Sequence, residues 1–309
     1  MRKFISKIVL FAIVAASGFL LWLSLLGGTG LLRTVNYRLG NYGHLYTRAS
    51  EAAGYGPVDI LFLGSSHAYR TFDTRYFDSL GYRTFNLGSS NQTPVQTYVL
   101  LQQYLIRLNP KLVVFEVHPD IMAYDGVEGA VDLLSNVPIT PASASMALDY
   151  RNLKVINTFC YSLIRQWFCG ALDHFEEDSI VEGWAYVPGG FVYIPQEPVF
   201  VPDSIPLQDI QVLPEQVQSL SKCLDLLRHH DIPFILVEVP SSHALSQSYA
   251  NYGQYTDLMA TFGPFYQLPL LPTPDSLYFT DPDHLNHRGV QIVCSQVADL
   301  IESQHLLAP

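Results

Sequence analysis

The hydrophobic pattern opens with one long run. After MRKFISK, no charged residue occurs from Ile8 to Leu32. Residues 8–28 are long enough, at about 1.5 Å per residue, to cross a hydrocarbon core of about 30 Å. From Asp59 the apolar runs shorten. DILFLG (59–64) predicts a buried strand closed by Gly-Ser, and YRTFNL (82–87) predicts a second, followed by Gly-Ser-Ser. KLVVFEV (111–117) predicts a third and PFILVEV (233–239) a fourth. Between them, apolar residues recur at helical spacing. Thr93–Leu108 carries Pro94 in its first turn and stops at Asn109-Pro110, Leu213–His230 is amphipathic, and a last helix runs from about Arg288 to Ser303.

Strand-like runs alternating with helices predict an α/β fold, a flavodoxin-like three-layer sandwich with a mostly parallel sheet. One N-terminal transmembrane helix precedes it. In such sheets ligands sit beyond the carboxyl ends of the strands, near a topological switch point. That rule places Gly64-Ser65-Ser66-His67, Gly88-Ser89-Ser90-Asn91 and His118-Pro119-Asp120 on one rim. The expected organisation is a cytoplasmic N-terminus (1–7), an anchor (8–28), a juxtamembrane connector (29–57) and an α/β domain (58–309). Residues 121–210 break the rhythm and read as an insertion. They hold GWAYVPGGFVYIP, a hairpin around Pro188-Gly189-Gly190 that is either a substrate wall or a cover for a sheet edge.

The N-terminal run admits three readings: an uncleaved anchor, a cleaved signal peptide, or a buried helix. The small-residue cluster Ala15-Ala16-Ser17-Gly18 is followed by the still apolar FLLWLSLL, which favours the anchor. Arg2, Lys3 and Lys7 precede the run, while Arg33, Arg38 and Arg48 follow it. The tighter leading cluster places the N-terminus in the cytoplasm and the body outside.

Composition narrows the function classes. The 309 residues are 49% hydrophobic and 15% charged, with net charge −11. Extended disorder is excluded by the apolar content. Nucleic acid is not an expected partner, because no basic stretch is dense enough to track phosphates. Four cysteines are too few for a disulfide scaffold, and Cys223 and Cys294 fall in predicted helices as small buried hydrophobes.

Ser66 sits at a strand-to-helix turn, where a hydroxyl is exposed and the amide can face a developing anion. It becomes a nucleophile only beside a base. DPDHLNH offers one: Asp281, three residues before His284, can accept from its ring N–H and support the imidazolium. His67, His118, Asp281, Asp283, His284 and His287 could instead gather round a metal. Ligation would consume the proposed base, so no metal and no cofactor is expected. Arg70 lies near the nucleophile turn and could grip an anion or pair with Asp73 or Asp78. Trp184 could stack on a sugar, and Ser241-Ser242-His243 could line the cleft.

These blocks resemble the SGNH/GDSL hydrolase superfamily. LFLGSSH is similar to its first block, with Ser66 as nucleophile and Ser65 where Asp is commoner. FNLGSS is similar to the second, whose glycine, here Gly88, supplies an oxyanion-hole amide. DPDHLNHRG is similar to the last, with Asp281 and His284 as acid and base. Anchor and Gly-Ser-Ser together resemble the branch of D-alanyl transfer and polysaccharide O-acetylation proteins. That branch implies acyl-ester chemistry on envelope glycans outside a bacterial cytoplasmic membrane, alongside a membrane-bound acyltransferase partner. The third block departs: VFEVHPD lacks the usual Asn donor. Asn91 or His118 is the candidate replacement, with Arg70, His118 and His67 as candidate substrate contacts. A missing donor lowers rate by roughly 10²–10³. Esterase, O-acyltransferase and inactive glycan-binding scaffold all remain compatible with the blocks.

Overall fold

The computed structural model describes residues 1–41, 43–195 and 201–307. Of the expected insertion at 121–210, residues 196–200 therefore lie outside the described residues. The chain forms two compact units, residues 1–39 with 130–176, and residues 40–129 with 177–309.

The larger unit is α/β. Its strands are β1 (Ile60–Leu63), β2 (Thr84–Asn86), β3 (Leu112–Glu116), β4 (Ile180–Val181), β5 (Trp184–Val187), β6 (Phe191–Tyr193), β7 (Phe234–Glu238) and β8 (Phe265–Gln267). Five form a parallel sheet in the order β2-β1-β3-β7-β8. This is the doubly wound order in which the strand order, not the strand direction, reverses between β1 and β3, and in such sheets ligands bind at that switch point. Both faces are apolar because both are covered. Ile60, Phe62, Val114 and Ile235 pack with Val293, Cys294 and Val297 of the last helix, His287–Ser303. The alternate residues Leu61, Val113 and Leu236 are equally buried. Phe62 pairs with both Asn86 and Val114, so β1, β2 and β3 end level and their following turns share one rim.

Two segments differ from expectation. The predicted connector contains an eleven-residue helix, Leu45–Tyr55. Leu45, Ala49 and Ala52 supply its buried stripe. Arg48, fully buried, donates to the Gly43 carbonyl (2.8 Å) and the Gly190 carbonyl (2.9 and 3.1 Å) and lies over the Tyr69 ring. β8 was also unforeseen: it is a three-residue, partly exposed edge strand.

The hairpin forms around Pro188–Gly190, as β4, β5 and β6 make a small antiparallel sheet. It covers the edge of β2, where the Asn86 amide donates to the Gly189 carbonyl at 2.7 Å. Glu51 accepts from the Gly189 amide (3.0 Å) and the Tyr186 hydroxyl (2.5 Å). Gly190 has φ +98°, and a Cβ there would overlap the Asn86 carbonyl, so only glycine closes this turn.

The smaller unit contains the N-terminal helix Arg2–Leu26 and the helices Pro141–Asp149 and Leu153–Cys169. The N-terminal helix is long and apolar enough to cross a membrane, with mean hydropathy 2.5. Leu23, its one buried residue, packs with Val35 and Tyr161. All four cysteines are free; Cys223 and Cys294 are buried.

Candidate active site

Gly64 ends β1 at φ +142°, and a Cβ there would lie 2.9 Å from the Glu116 side chain. The glycine lets the chain turn sharply against β3 and start the short helix Ser66–Tyr69. Ser65 caps it: its fully buried hydroxyl accepts from the His67 amide. Ser66 is thereby held at the rim. Its amide has no protein partner among the described residues.

His284 arrives from the opposite end of the chain. Asp281 Oδ1 accepts from the amides of Asp283 (3.1 Å) and His284 (2.8 Å), folding residues 281–284 into a side-chain-closed turn. The Thr280 amide donates to the His284 carbonyl (2.8 Å), and the Ser242 amide donates to the Pro282 carbonyl (2.9 Å). The Ser241-Ser242-His243 segment thus braces this turn, while His243 itself pairs with Asp275 at 2.6 Å. Asn286 caps the following helix by accepting from Arg288 and Gly289.

The turn points His284 at Ser66. The Ser66 hydroxyl lies 2.8 Å from His284 Nε2. His284 Nδ1 lies 3.0 and 3.1 Å from the two Asp281 oxygens. A second carboxylate, not foreseen for this role, also reaches Nδ1: Asp283 Oδ1 at 3.0 Å. The alternation Asp-x-Asp-His was the sequence signal for it. We assign the Nδ1–H bond to Asp281, which meets it in hydrogen-bond alignment, with Asp283 acting as a flanking charge.

Behind His284 lie two more imidazoles. The His67 ring stacks on His284 at 4.9 Å and on His118 at 4.0 Å, all nearly parallel. His67 Nε2 is 3.3 Å from Asp283 Oδ2, short in distance but off hydrogen-bond alignment. His67 Nδ1 lies 3.0 Å from the Ser65 hydroxyl, which sits 3.5 Å from Glu116 Oε2. His67 and His118 were expected as substrate contacts, but they are only 3% and 1% exposed. His118 Nδ1 instead accepts from the Asp120 amide, capping the helix Pro119–Ala123.

The electrostatics divide the three rings. Burial and the Arg70 charge disfavour the His284 imidazolium, but Asp281 and Asp283 outweigh them and raise its pKa. Burial opposes charge on Asp283 too, yet His284 and His67 hold its pKa far below the usual carboxylate range. His67 is depressed by burial despite Asp283, and His118 is depressed further, by burial and by His67. Burial raises the Glu116 pKa well above normal, which favours the protonated form. His67, Asp283 and His284 could share an ion by distance alone. Both His284 nitrogens, however, already face Ser66 and Asp281.

The two further oxyanion candidates are otherwise engaged. The Gly88 amide donates to the Asn86 side chain at 3.1 Å. Gly88 is needed for space, since a Cβ would lie 2.8 Å from the Ser65 carbonyl. Asn91, at φ +49°, donates its side-chain amide to Glu128 at 2.8 Å. Of the two acids expected for Arg70, Asp73 binds Arg75. The Arg70 guanidinium lies over Trp184 of β5 at 4.8 Å, donates to Thr280 and approaches Asp281 at 4.0 Å. A shallow cleft lies beside it, lined by Phe191, Tyr193, Leu285, His287 and Val290, but not by Ser66.

No protein-family model and no curated protein matches the chain. Among solved structures, a GDSL-like lipase from Bacteroides thetaiotaomicron is similar with TM-score 0.41 and 14% identity, covering 85% of this chain and 100% of its own. A "putative acylhydrolase" from Bacteroides fragilis is similar with TM-score 0.42 and 15% identity, covering 87% and 100%.

Proposed function

We propose that this chain is an SGNH-type serine enzyme acting on acyl esters of cell-envelope glycans. In this reading Ser66 is the nucleophile, His284 the base and Asp281 the acid that orients it. One observation carries it: a rim hydroxyl 2.8 Å from an imidazole whose far nitrogen meets a carboxylate. The Ser66 proton passes to His284 Nε2 as Oγ bonds the acyl carbon. The carbonyl electron pair moves to oxygen, where the Ser66 amide can donate to it. Collapse expels the alkoxide, which takes the proton back from His284. Water then gives an esterase, and a sugar hydroxyl gives an O-acyltransferase. Arg2–Leu26 serves as the anchor, with the N-terminus in the bacterial cytoplasm and the α/β unit outside.

A second reading, an inactive glycan-binding scaffold beside a membrane acyltransferase, is favoured by the occupied Gly88 and Asn91 donors. A fluorophosphonate probe separates the two. The full-length protein should label, and Ser66→Ala should not. Absence of labelling in the wild type, with Ser66 accessible, selects the scaffold. A reporter fused at the C-terminus tests topology; cytoplasmic activity contradicts the external placement.

A further inference from the structure

The helix Leu153–Cys169 carries an apolar surface that its own unit leaves open. Trp167 and Phe168 are 70% and 82% exposed, and Leu153 at the other end is 69% exposed. Ile156, Phe159, Leu163 and Ile164 between them are only partly covered. This helix contacts the N-terminal helix. Tyr161 packs on Leu23, Ile164 joins the same cluster, and a Cβ on Gly27 would overlap the Tyr161 ring. Leu23 lies four residues inside Gly27, a depth of about 6 Å along a helix. If Arg2–Leu26 spans the bilayer, residues 161–164 therefore lie at the hydrocarbon boundary. Trp167 and Phe168 follow within two turns, about 9–10 Å along the axis.

Charge points the same way. The chain carries net −11, yet Leu153–Cys169 contains Lys154 and Arg165 and no acid. A helix with an aromatic end, an apolar flank and only basic charges has the chemistry of a membrane-interface element.

We propose that Leu153–Cys169 docks on the bilayer surface beside the span, with Trp167 and Phe168 seated among the lipid headgroups and upper acyl chains. The occupant is lipid, not a protein partner. The proposal rests on the reading that Arg2–Leu26 crosses the membrane, so its test must report on that helix separately. The three native tryptophans allow this, since Trp22 lies in the span and Trp167 on the docking helix.

Full-length protein with Trp167→Phe and Trp184→Phe leaves Trp22 alone, and Trp22→Phe with Trp184→Phe leaves Trp167 alone. Each is reconstituted in phosphatidylcholine–phosphatidylglycerol vesicles with and without lipids brominated near the headgroup end of the acyl chain. Tyr at the silenced positions repeats the measurement if a Phe variant fails to fold. Both tryptophans should lose most of their emission to brominated lipid and little to aqueous iodide. Trp22 quenched by lipid with Trp167 quenched only by iodide would leave the helix in water and overturn the proposal. Trp167 shielded from both quenchers would mean a protein partner covers it, which also overturns the proposal. Trp22 blind to the lipid quencher would remove the span and the docking together.

Discussion

His284 and His67 stack 4.9 Å apart, nearly parallel, and share the carboxylate of Asp283, yet their pKa values move in opposite directions. The difference lies in what else each ring meets. His284 sits on a loop at the rim and has a second carboxylate, Asp281, on the same nitrogen. His67 is sealed between two other rings, and its remaining nitrogen faces only a neutral hydroxyl. Burial penalises the cation in both, but only the ring with two carboxylates overcomes it. The same ring type thus gives one imidazole that gains a proton more readily beside the Ser66 hydroxyl and, stacked on it, a second that burial holds against protonation.

Removing each ring should break this pairing unequally. His284→Ala should lower kcat by about 10⁴–10⁶-fold, the usual cost of deleting a triad member. His67→Gln removes no reacting atom and should cost less than about 10²-fold, through misplacement of His284. Steady-state kinetics on a chromogenic acyl ester read both. Equal losses would mean that His67 takes part in proton transfer and that the contrast is wrong.

The two carboxylates sharpen the comparison further. Asp281→Asn should cost up to about 10⁴-fold in kcat, because the bond fixing the His284 tautomer is lost. Asp283→Asn should cost less but move the pH profile. His284 must be neutral to act as a base, so activity falls as pH drops through its raised pKa. Removing the Asp283 charge lowers that pKa, and the acid limb of kcat/KM should shift to lower pH. A limb that stays in place, or a larger loss than for Asp281→Asn, would transfer the orienting role to Asp283.

What the sequence made legible follows the same division. β1, β3 and β7 are near-continuous apolar runs, because both faces of a parallel sheet are covered, and such runs need no partner to be recognised. Ser66, His284 and Asp281 could be picked out for a related reason, since each sits in a short turn with its own local signal. Arg48 and the helix around it were hidden. A fully buried arginine in a Gly, Tyr and Arg-rich stretch reads as a solvated connector until its carbonyl partners, distant in sequence, are known. His67 and His118 misled for the opposite reason, since polar residues near the Ser66 turn suggest a wall of the cleft, whereas both rings are stacked and buried. The capture of the Gly88 amide by Asn86 was in principle readable, because Asn side chains commonly accept from the amide two residues on.

The smallest effect expected belongs to Glu116, at the foot of the buried layer. Its Oε1 has no partner among the described residues. Burial keeps the folded group protonated well above the ordinary carboxylate range, while the unfolded chain releases that proton near pH 4.3, roughly the free Glu value. Above that point the folded state binds more protons, so stability falls as pH rises. Glu238, which burial pushes up to about 7, adds a decline of the same sign. Glu116→Gln carries no titrating proton and removes only its own share. The Tm of the variant relative to wild type should therefore climb as pH rises above about 4, roughly the free Glu value, with kcat almost unchanged because Gln matches the protonated group in shape. A Tm difference that stays flat with pH would mean that Glu116 is ionised in the fold. The neutral layer beneath His284 would then have to be redrawn with a negative charge at its base.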